Sequence, residues 1–352
     1  MKRLLQPQSY FRSIYKKQTR TLGFQASDIE EWLLWRPKLR CKLAELLNLP
    51  EGFKINFKVV SEVSRPGFLM QKVLIETRPH LWAPLYILIP ENINGKAPAV
   101  IALHGHGYGK DEISGITEEG KFRDSPEGIY KDFAVQLVRM GLLVAVPDQF
   151  AFGERRNVED VRKGRRNNSC HLATVWAFML GSSMVGFRVW DVMKIIDYLQ
   201  QRSEVDARRI GGMGLSAGGT TLLYASAIDE RIRVSVLSGS FCTFFDSILA
   251  MNHCICNYVP ALLMYAEIYD IASLIAPRPL LIEAGINDPI FPINGVLKAY
   301  LETKKAYHLL NVGERLALDL FDGGHEVSGC KAFPWIMKWL SIEEPDILLM
   351  PM

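Results

Sequence analysis

Nowhere does this chain carry the roughly 18 consecutive apolar residues that a membrane-spanning helix requires. Its basic N-terminus, MKRLLQPQSYFRSIYKKQTR, lacks the apolar centre of a secretory leader. That segment reads as a solvated arm in preference to a contact element, and a cytoplasmic location is the expectation. Cysteine is scarce: Cys41, Cys170, Cys242, Cys254, Cys256 and Cys330 are spread through 352 residues. That is too thin for a disulfide framework and fits reduced thiols. An excess of either charge is also missing, since 41 Lys and Arg against 38 Asp and Glu leave +3. Neither nucleic acid nor a membrane is therefore an expected partner. No repeat, low-complexity block or Pro/Gly/Ser linker divides the chain.

What is present has globular composition, 49% hydrophobic and 22% charged, and a changing period. Residues 28–48 suggest a helix with Trp32, Leu33, Trp35, Leu39 and Leu43 on its apolar face and Pro37 as a break. KINFKVVSEV, FLMQKVLIET and PLYILIP follow too closely for intervening helices, which predicts an antiparallel meander. Beyond them strand and helix alternate. PAVIALH (98–104) is a nearly continuous apolar run, as a strand covered on both faces should be. Val185, Val189, Val192, Ile196 and Leu199 mark one face of a long helix over 185–201. The expected fold class is α/β, with a mostly parallel sheet, antiparallel N-terminal strands and helices on both faces.

The decade IGGMGLSAGG (210–219) contains two overlapping motifs. From Gly212 it spells G-x-G-x-x-A, a dinucleotide fingerprint; from Gly214 it spells G-x-S-x-G, a turn presenting a serine. The fingerprint needs an acid some 20 residues on, to hold a ribose. The next strand instead ends in Ser238, Gly239 and Ser240. A nucleophilic serine needs a base, and the base an orienting acid, each after a later strand. Asp288 follows the strand PLLIEAG, whereas Asp319 lies inside a strand and Asp322 is too near the base. His325 follows RLALDLFDGG; His253 sits in an irregular segment and His308 on a helix. Ser216, Asp288 and His325 are thus the candidate catalytic set. The oxyanion donors are expected at the N–H of Ala217, beginning a helix, and of His106 in the loop His104-Gly105-His106-Gly107.

Together ALHGHGYGK, VPDQFAFGER, GFRVWDVMKIIDYLQQRSEVDARRIGGMGLSAGG, INDPIFP and GGH resemble the α/β-hydrolase superfamily, over about residues 50–342. Within it they resemble the dienelactone-hydrolase-related group, and best its acetyl xylan esterase branch. The resemblance implies a catalytic domain over 51–345 behind an N-terminal helical extension (1–50). It implies a serine carboxylesterase without a cofactor, with deacetylation of small acetylated, carbohydrate-like substrates as one form. Dienelactone hydrolases use a cysteine nucleophile where this chain has Ser216, so their lactone substrate is not carried over. An intracellular enzyme would also not meet polymeric xylan. The expected partner is a small-molecule ester. Peptide or thioester cleavage stays open, as does a homo-oligomer, and a non-catalytic receptor is the reading from another class.

The remaining features have bland readings. His104-x-His106 without clustered carboxylates does not make a metal site, and none is expected. MNHCICNY (251–258) gathers His253, Cys254 and Cys256 without a second pair at zinc spacing, so a packed loop near the site is expected. Residues 149–184 form a cap or substrate-facing insertion. Its Arg155, Arg156, Arg162, Lys163, Arg165 and Arg166 read as a solvated face before an acidic-substrate funnel. Asp148 ends a strand and is expected to pair with an arginine such as Arg188.

Overall fold

The three early apolar runs become β1 (Asn56–Arg65), β2 (Phe68–Arg78) and β3 (Leu81–Pro90), paired antiparallel in sequence order. β1 is the sheet's exposed edge, and a register shift between Val59 and Ser61 interrupts its pairing. Such a bulge discourages edge-to-edge association. The chain then passes into β4 (Ala97–Leu103), β5 (Leu143–Pro147), β6 (Val205–Leu215), β7 (Ile232–Ser238), β8 (Leu280–Gly285) and β9 (Leu316–Phe321). The computed structural model describes residues 5–93 and 95–341, so positions 342–345 of the expected domain lie outside the described residues.

One nine-stranded sheet results, in the order β1-β2-β3-β5-β4-β6-β7-β8-β9, parallel from β5 onward. Alternation along each strand divides its side chains between two cores. Ala99, Ile101 and Leu103 of β4 join one, and Val100 and Ala102 the other. The first core is covered by α2 (Ile29–Leu46), α7 (Met184–Leu199), α8 (Ala217–Ile228), α9 (Ile268–Ser273) and α10 (Ile293–Leu309). The second is covered by α3 (Lys110–Ile113), α4 (Phe133–Arg139) and α11 (Ala332–Ser341). Strand order reverses about β4, which has β5 on one side and β6 on the other. In open α/β sheets that reversal creates the crevice where ligands bind.

The N-terminal segment departs from expectation in two ways. α2 runs through Pro37 without ending there, and it buries Trp32, Trp35, Leu39 and Leu43 while leaving Leu33 exposed. Leu33 follows Trp32 by one residue, about 100° around the helix, and so falls off the packed stripe. α1 (Pro7–Lys17) buries no residue, yet it is a contact element. Tyr15 donates to Glu267 Oε1 at 3.0 Å and stacks on Phe245. Downstream, the Phe24 N–H donates to Asp270 Oδ1 at 2.8 Å. Glu267 and Asp270 also cap α9, and burial pushes their carboxyls up, to about 7 and about 6.

The insertion folds into α5 (Val158–Arg162) and α6 (Cys170–Met179). Arg162, Lys163 and Arg166 are exposed, as a solvated face requires, but most of its arginines are also tied to partners, which corrects that reading for Arg155, Arg156 and Arg165. Arg155 bonds Asp191, Arg156 bonds the carbonyls of Gly153 and Gly164, Arg165 pairs with Asp111, and Arg166 with Glu118. Partners supplied by α3, α7 and the loop after α3 absorb the charge that looked unpaired in the sequence.

Candidate active site

Parallel strands point their C-terminal ends to one edge of the sheet, and the candidate residues lie there. Ser216 follows β6 directly, with φ 58° and ψ −124°, a conformation L-residues rarely adopt. Its neighbours explain the glycines around it. A Cβ on Gly218 would stand 2.1 Å from the Leu103 carbonyl oxygen, and one on Gly214 2.5 Å from the Gly218 carbonyl carbon. Strand and helix meet backbone to backbone, and only glycine permits that. The Ser216 N–H donates to the Ser238 carbonyl at 3.0 Å, tying the turn to β7.

Asp288 and His325 come from the ends of β8 and β9. His325 Nδ1–H donates to Asp288 Oδ2 at 2.7 Å, and the other carboxylate oxygen accepts from the N–H groups of Ile290 (2.8 Å) and Phe291 (3.1 Å). Burial opposes ionisation of Asp288, but these bonds outweigh it and hold the carboxyl below its usual range. Phe291 stacks on the imidazole at 5.7 Å. With Nδ1 engaged, Nε2 is the nitrogen left to take a proton. The competing carboxylates are committed elsewhere, Asp319 to Lys331 and Asp322 to Asn287. His325 also borders the serine turn: a Cβ on Gly239 would lie 3.0 Å from Leu215 and 3.2 Å from His325 Nδ1. Among the described residues no hydrogen bond joins Ser216 to His325; such contacts commonly tighten only with substrate bound.

The Ala217 N–H opens α8 and, like every first-turn amide, has no acceptor within its helix. Opposite it runs the loop after β4. Gly105 packs so closely that a Cβ would lie 2.8 Å from that of Ser216. Tyr130 donates its hydroxyl to the His106 carbonyl at 3.1 Å, fixing that peptide. His104 is wholly buried: Nδ1–H donates to the Gly105 carbonyl at 2.7 Å, and Nε2 accepts from the Gln149 N–H at 3.1 Å. Burial drives its pKa down to about 4, so it is neutral.

One expectation needs correction. Asp148 is fully buried but does not meet Arg188; it pairs with Lys110 Nζ at 3.0 Å and accepts from the N–H groups of Lys110 and Glu154. Arg188 sits on α7, and its guanidinium faces sulfur instead, donating to Cys256 and Cys170 at 3.4 Å each. Removing one partner from a buried ion pair leaves the other uncompensated. Lys110→Met is therefore expected to cost about 3–5 kcal/mol of stability, checked by denaturant unfolding; a loss within error of zero would contradict the pairing.

The packed loop 251–258 does lie beside the site, since His253 meets Phe291, which in turn stacks on His325. Its cysteines are not isolated, however. His106 Nε2 and the sulfurs of Cys170, Cys254 and Cys256 all lie within 4.8 Å of one another. Hydrogen bonds from the Cys170 and Cys254 thiols, aided by the Arg188 charge, hold the Cys256 thiol well below its ordinary value. Sequence reasoning counts Cys170 among dispersed thiols and assigns Arg188 to Asp148, because nothing in their local pattern places them beside Cys254 and Cys256.

A strained serine between strand and helix, after the third strand of a parallel run, accords with the family profile that matches residues 3–309, that of the Abhydrolase family. The chain belongs to this family. The "Putative hydrolase YtaP" of Bacillus subtilis is 29% identical over 318 residues, covering 87% of this chain and 100% of that protein. Among solved structures, a putative acetyl xylan esterase from Bacteroides fragilis superposes with TM-score 0.83 at 18% identity, covering 96% of this chain and 95% of that one. A glucuronoyl esterase from Solibacter usitatus superposes with TM-score 0.67 at 16% identity, covering 93% and 98%. This Abhydrolase-family enzyme therefore has the α/β-hydrolase fold expected from its motifs.

Proposed function

We propose that this chain is a serine carboxylic-ester hydrolase working through Ser216, Asp288 and His325, with small acetylated, carbohydrate-like esters as its substrates. The observation that carries the reading is the Asp288–His325 hydrogen bond past the ends of β8 and β9, on the same edge of the sheet as a strained, buried Ser216. The names of its structural neighbours, an acetyl xylan esterase and glucuronoyl esterases, support the ester class.

Each role follows from the chemistry. A serine hydroxyl is too weakly acidic to attack an ester unaided at neutral pH. His325 Nε2 takes its proton as Oγ bonds to the carbonyl carbon, and Asp288 steadies the imidazolium through Nδ1–H. The carbonyl oxygen becomes an oxyanion, held by the N–H groups of Ala217 and His106; one such donor contributes about 3–4 kcal/mol in comparable sites. His325 returns the proton to the departing alcohol. Water then attacks the acyl-enzyme with the same base assisting, releasing the acid and restoring Ser216.

Nitrophenyl esters of increasing acyl length, assayed beside peptide and thioester substrates, test the substrate class. Acetyl esters are expected to be turned over with the highest kcat/KM. Preferential cleavage of peptides or thioesters would overturn the ester assignment, and a flat response to acyl length would overturn the deacetylase form of it.

A further inference from the structure

Next to the serine turn lies a group of side chains that ester hydrolysis does not use. His106 follows β4, Cys170 begins α6, and Cys254 and Cys256 lie in the loop after β7. Three segments far apart in sequence thus bring one imidazole nitrogen and three sulfurs within 4.8 Å of one another. Cys256 Sγ is 3.6 Å from His106 Nε2 and 3.2 Å from Cys254 Sγ. Zinc bonds of about 2.3 Å to sulfur and about 2.0 Å to nitrogen put tetrahedral ligand atoms about 3.5–3.8 Å apart. The 3.6 Å between Cys256 and His106 matches that spacing, and the remaining atoms, within 4.8 Å of one another, need only small shifts to reach it.

Arg188 supplies a second, independent observation. Its side chain is almost wholly buried, and among the described residues no carboxylate pairs with it. Its partners are the Phe150 carbonyl, the sulfurs of Cys256 and Cys170, and the face of Phe152. A buried guanidinium favours negative charge nearby, and the side-chain atoms it donates to here are the sulfurs of Cys256 and Cys170. Several thiolates crowded together repel, and one arginine cannot neutralise them all. A divalent cation among them resolves both problems: two positive charges against three thiolates and a neutral imidazole leave one negative charge, which Arg188 cancels. N–H donors directed at metal-bound sulfur are the usual outer support of such sites. All six cysteines are free thiols, and the 3.2 Å between Cys254 and Cys256 exceeds a disulfide bond of about 2.05 Å.

We infer that His106, Cys170, Cys254 and Cys256 form a Cys₃His zinc site that fastens α6 and the loop after β7 to the loop after β4. Four protein ligands close the coordination sphere, so the ion is structural. Binding replaces the S–H bonds still present on the three cysteines with zinc–sulfur bonds, each displaced thiol proton going to solvent. The His106 ring would hold the ion while its backbone N–H serves the oxyanion in the mechanism proposed above. That last consequence rests on the ester-hydrolase reading; the metal site does not.

Protein purified under reducing, chelator-free conditions should carry one zinc per chain by elemental analysis after gel filtration. Cobalt substitution should give the thiolate charge-transfer and tetrahedral visible bands. Cys254→Ser with Cys256→Ser, and separately Cys170→Ser, should lower zinc affinity by at least about tenfold. Should these variants misfold, the wild-type chain decides alone: the thiols of Cys170, Cys254 and Cys256, unlike those of exposed Cys41 and Cys330, should resist alkylation until a strong chelator removes the metal. Wild-type protein that retains under about a tenth of an equivalent after incubation with excess zinc overturns the site, as does alkylation at equal rates with and without zinc. Bound zinc without esterase activity would uphold the metal site and defeat the ester reading alone.

Discussion

Ser216→Ala is expected to reduce ester turnover by about a million-fold in kcat, with the chain still folded, because no other group at the site can replace the attacking hydroxyl. The remaining rate would reflect binding and the oxyanion donors alone, and it should stay measurable above the uncatalysed reaction. A companion variant separates chemistry from strain. Ser216 holds φ at 58°, in a region that costs an L-residue on the order of 1–3 kcal/mol. Ser216→Gly should therefore be as inactive as the alanine variant but more stable, raising the unfolding midpoint. Activity surviving either change would sink Ser216 as nucleophile; an unchanged midpoint for the glycine variant would remove the claim of strain.

Asp288→Asn should lower kcat by roughly ten-thousand-fold while leaving the unfolding midpoint near that of the native chain. Asn retains one oxygen for the N–H groups of Ile290 and Phe291, which now bond Asp288 Oδ1. Its amide, however, presents N–H to His325 Nδ1, where a carboxylate oxygen stands now. The imidazole must then carry its proton on Nε2, and that nitrogen can no longer accept one from Ser216. Asp322→Asn is the control, since Asp322 bonds Asn287 and not His325; turnover should change little. Equal losses in both variants would mean that general disruption of the loops, and not the tautomer, governs the rate.

The line between what was legible and what was not follows the range of the forces. Residues 98–104 announced a strand buried on both faces because such a strand cannot afford polar residues, and β4 is buried accordingly. The close spacing of three apolar runs left room for nothing but an antiparallel meander. The choice of Asp288 over Asp319 and Asp322 came from its place just past a strand end, and the structure gives it the bond to His325. In each case the decisive constraint lies within a few residues of chain.

Charge partners were another matter. Asp148, ending a strand, suggests an arginine such as Arg188 as its partner, yet Lys110 takes the carboxylate and the arginine turns to sulfur. The basic residues of 149–184 looked like a solvated face, but Asp111, Glu118 and Asp191 lie waiting on other elements. Likewise Leu33 counted toward an apolar stripe that the docking of α2 leaves in solvent. A long flexible charged side chain can satisfy itself with any partner the fold brings near, so its own neighbours in sequence say little about which.

The sequence by itself therefore determined the α/β layering, the turn that presents Ser216, and the strand ends carrying Asp288 and His325, because backbone period and turn sterics act locally. Only the tertiary structure decided that His106, Cys170, Cys254 and Cys256 share one small volume under Arg188. Those residues are 64, 84 and 2 positions apart along the chain, and nothing local records the distance between them. Their meeting is set by where β4, α6 and the loop after β7 arrive at the same edge of the sheet.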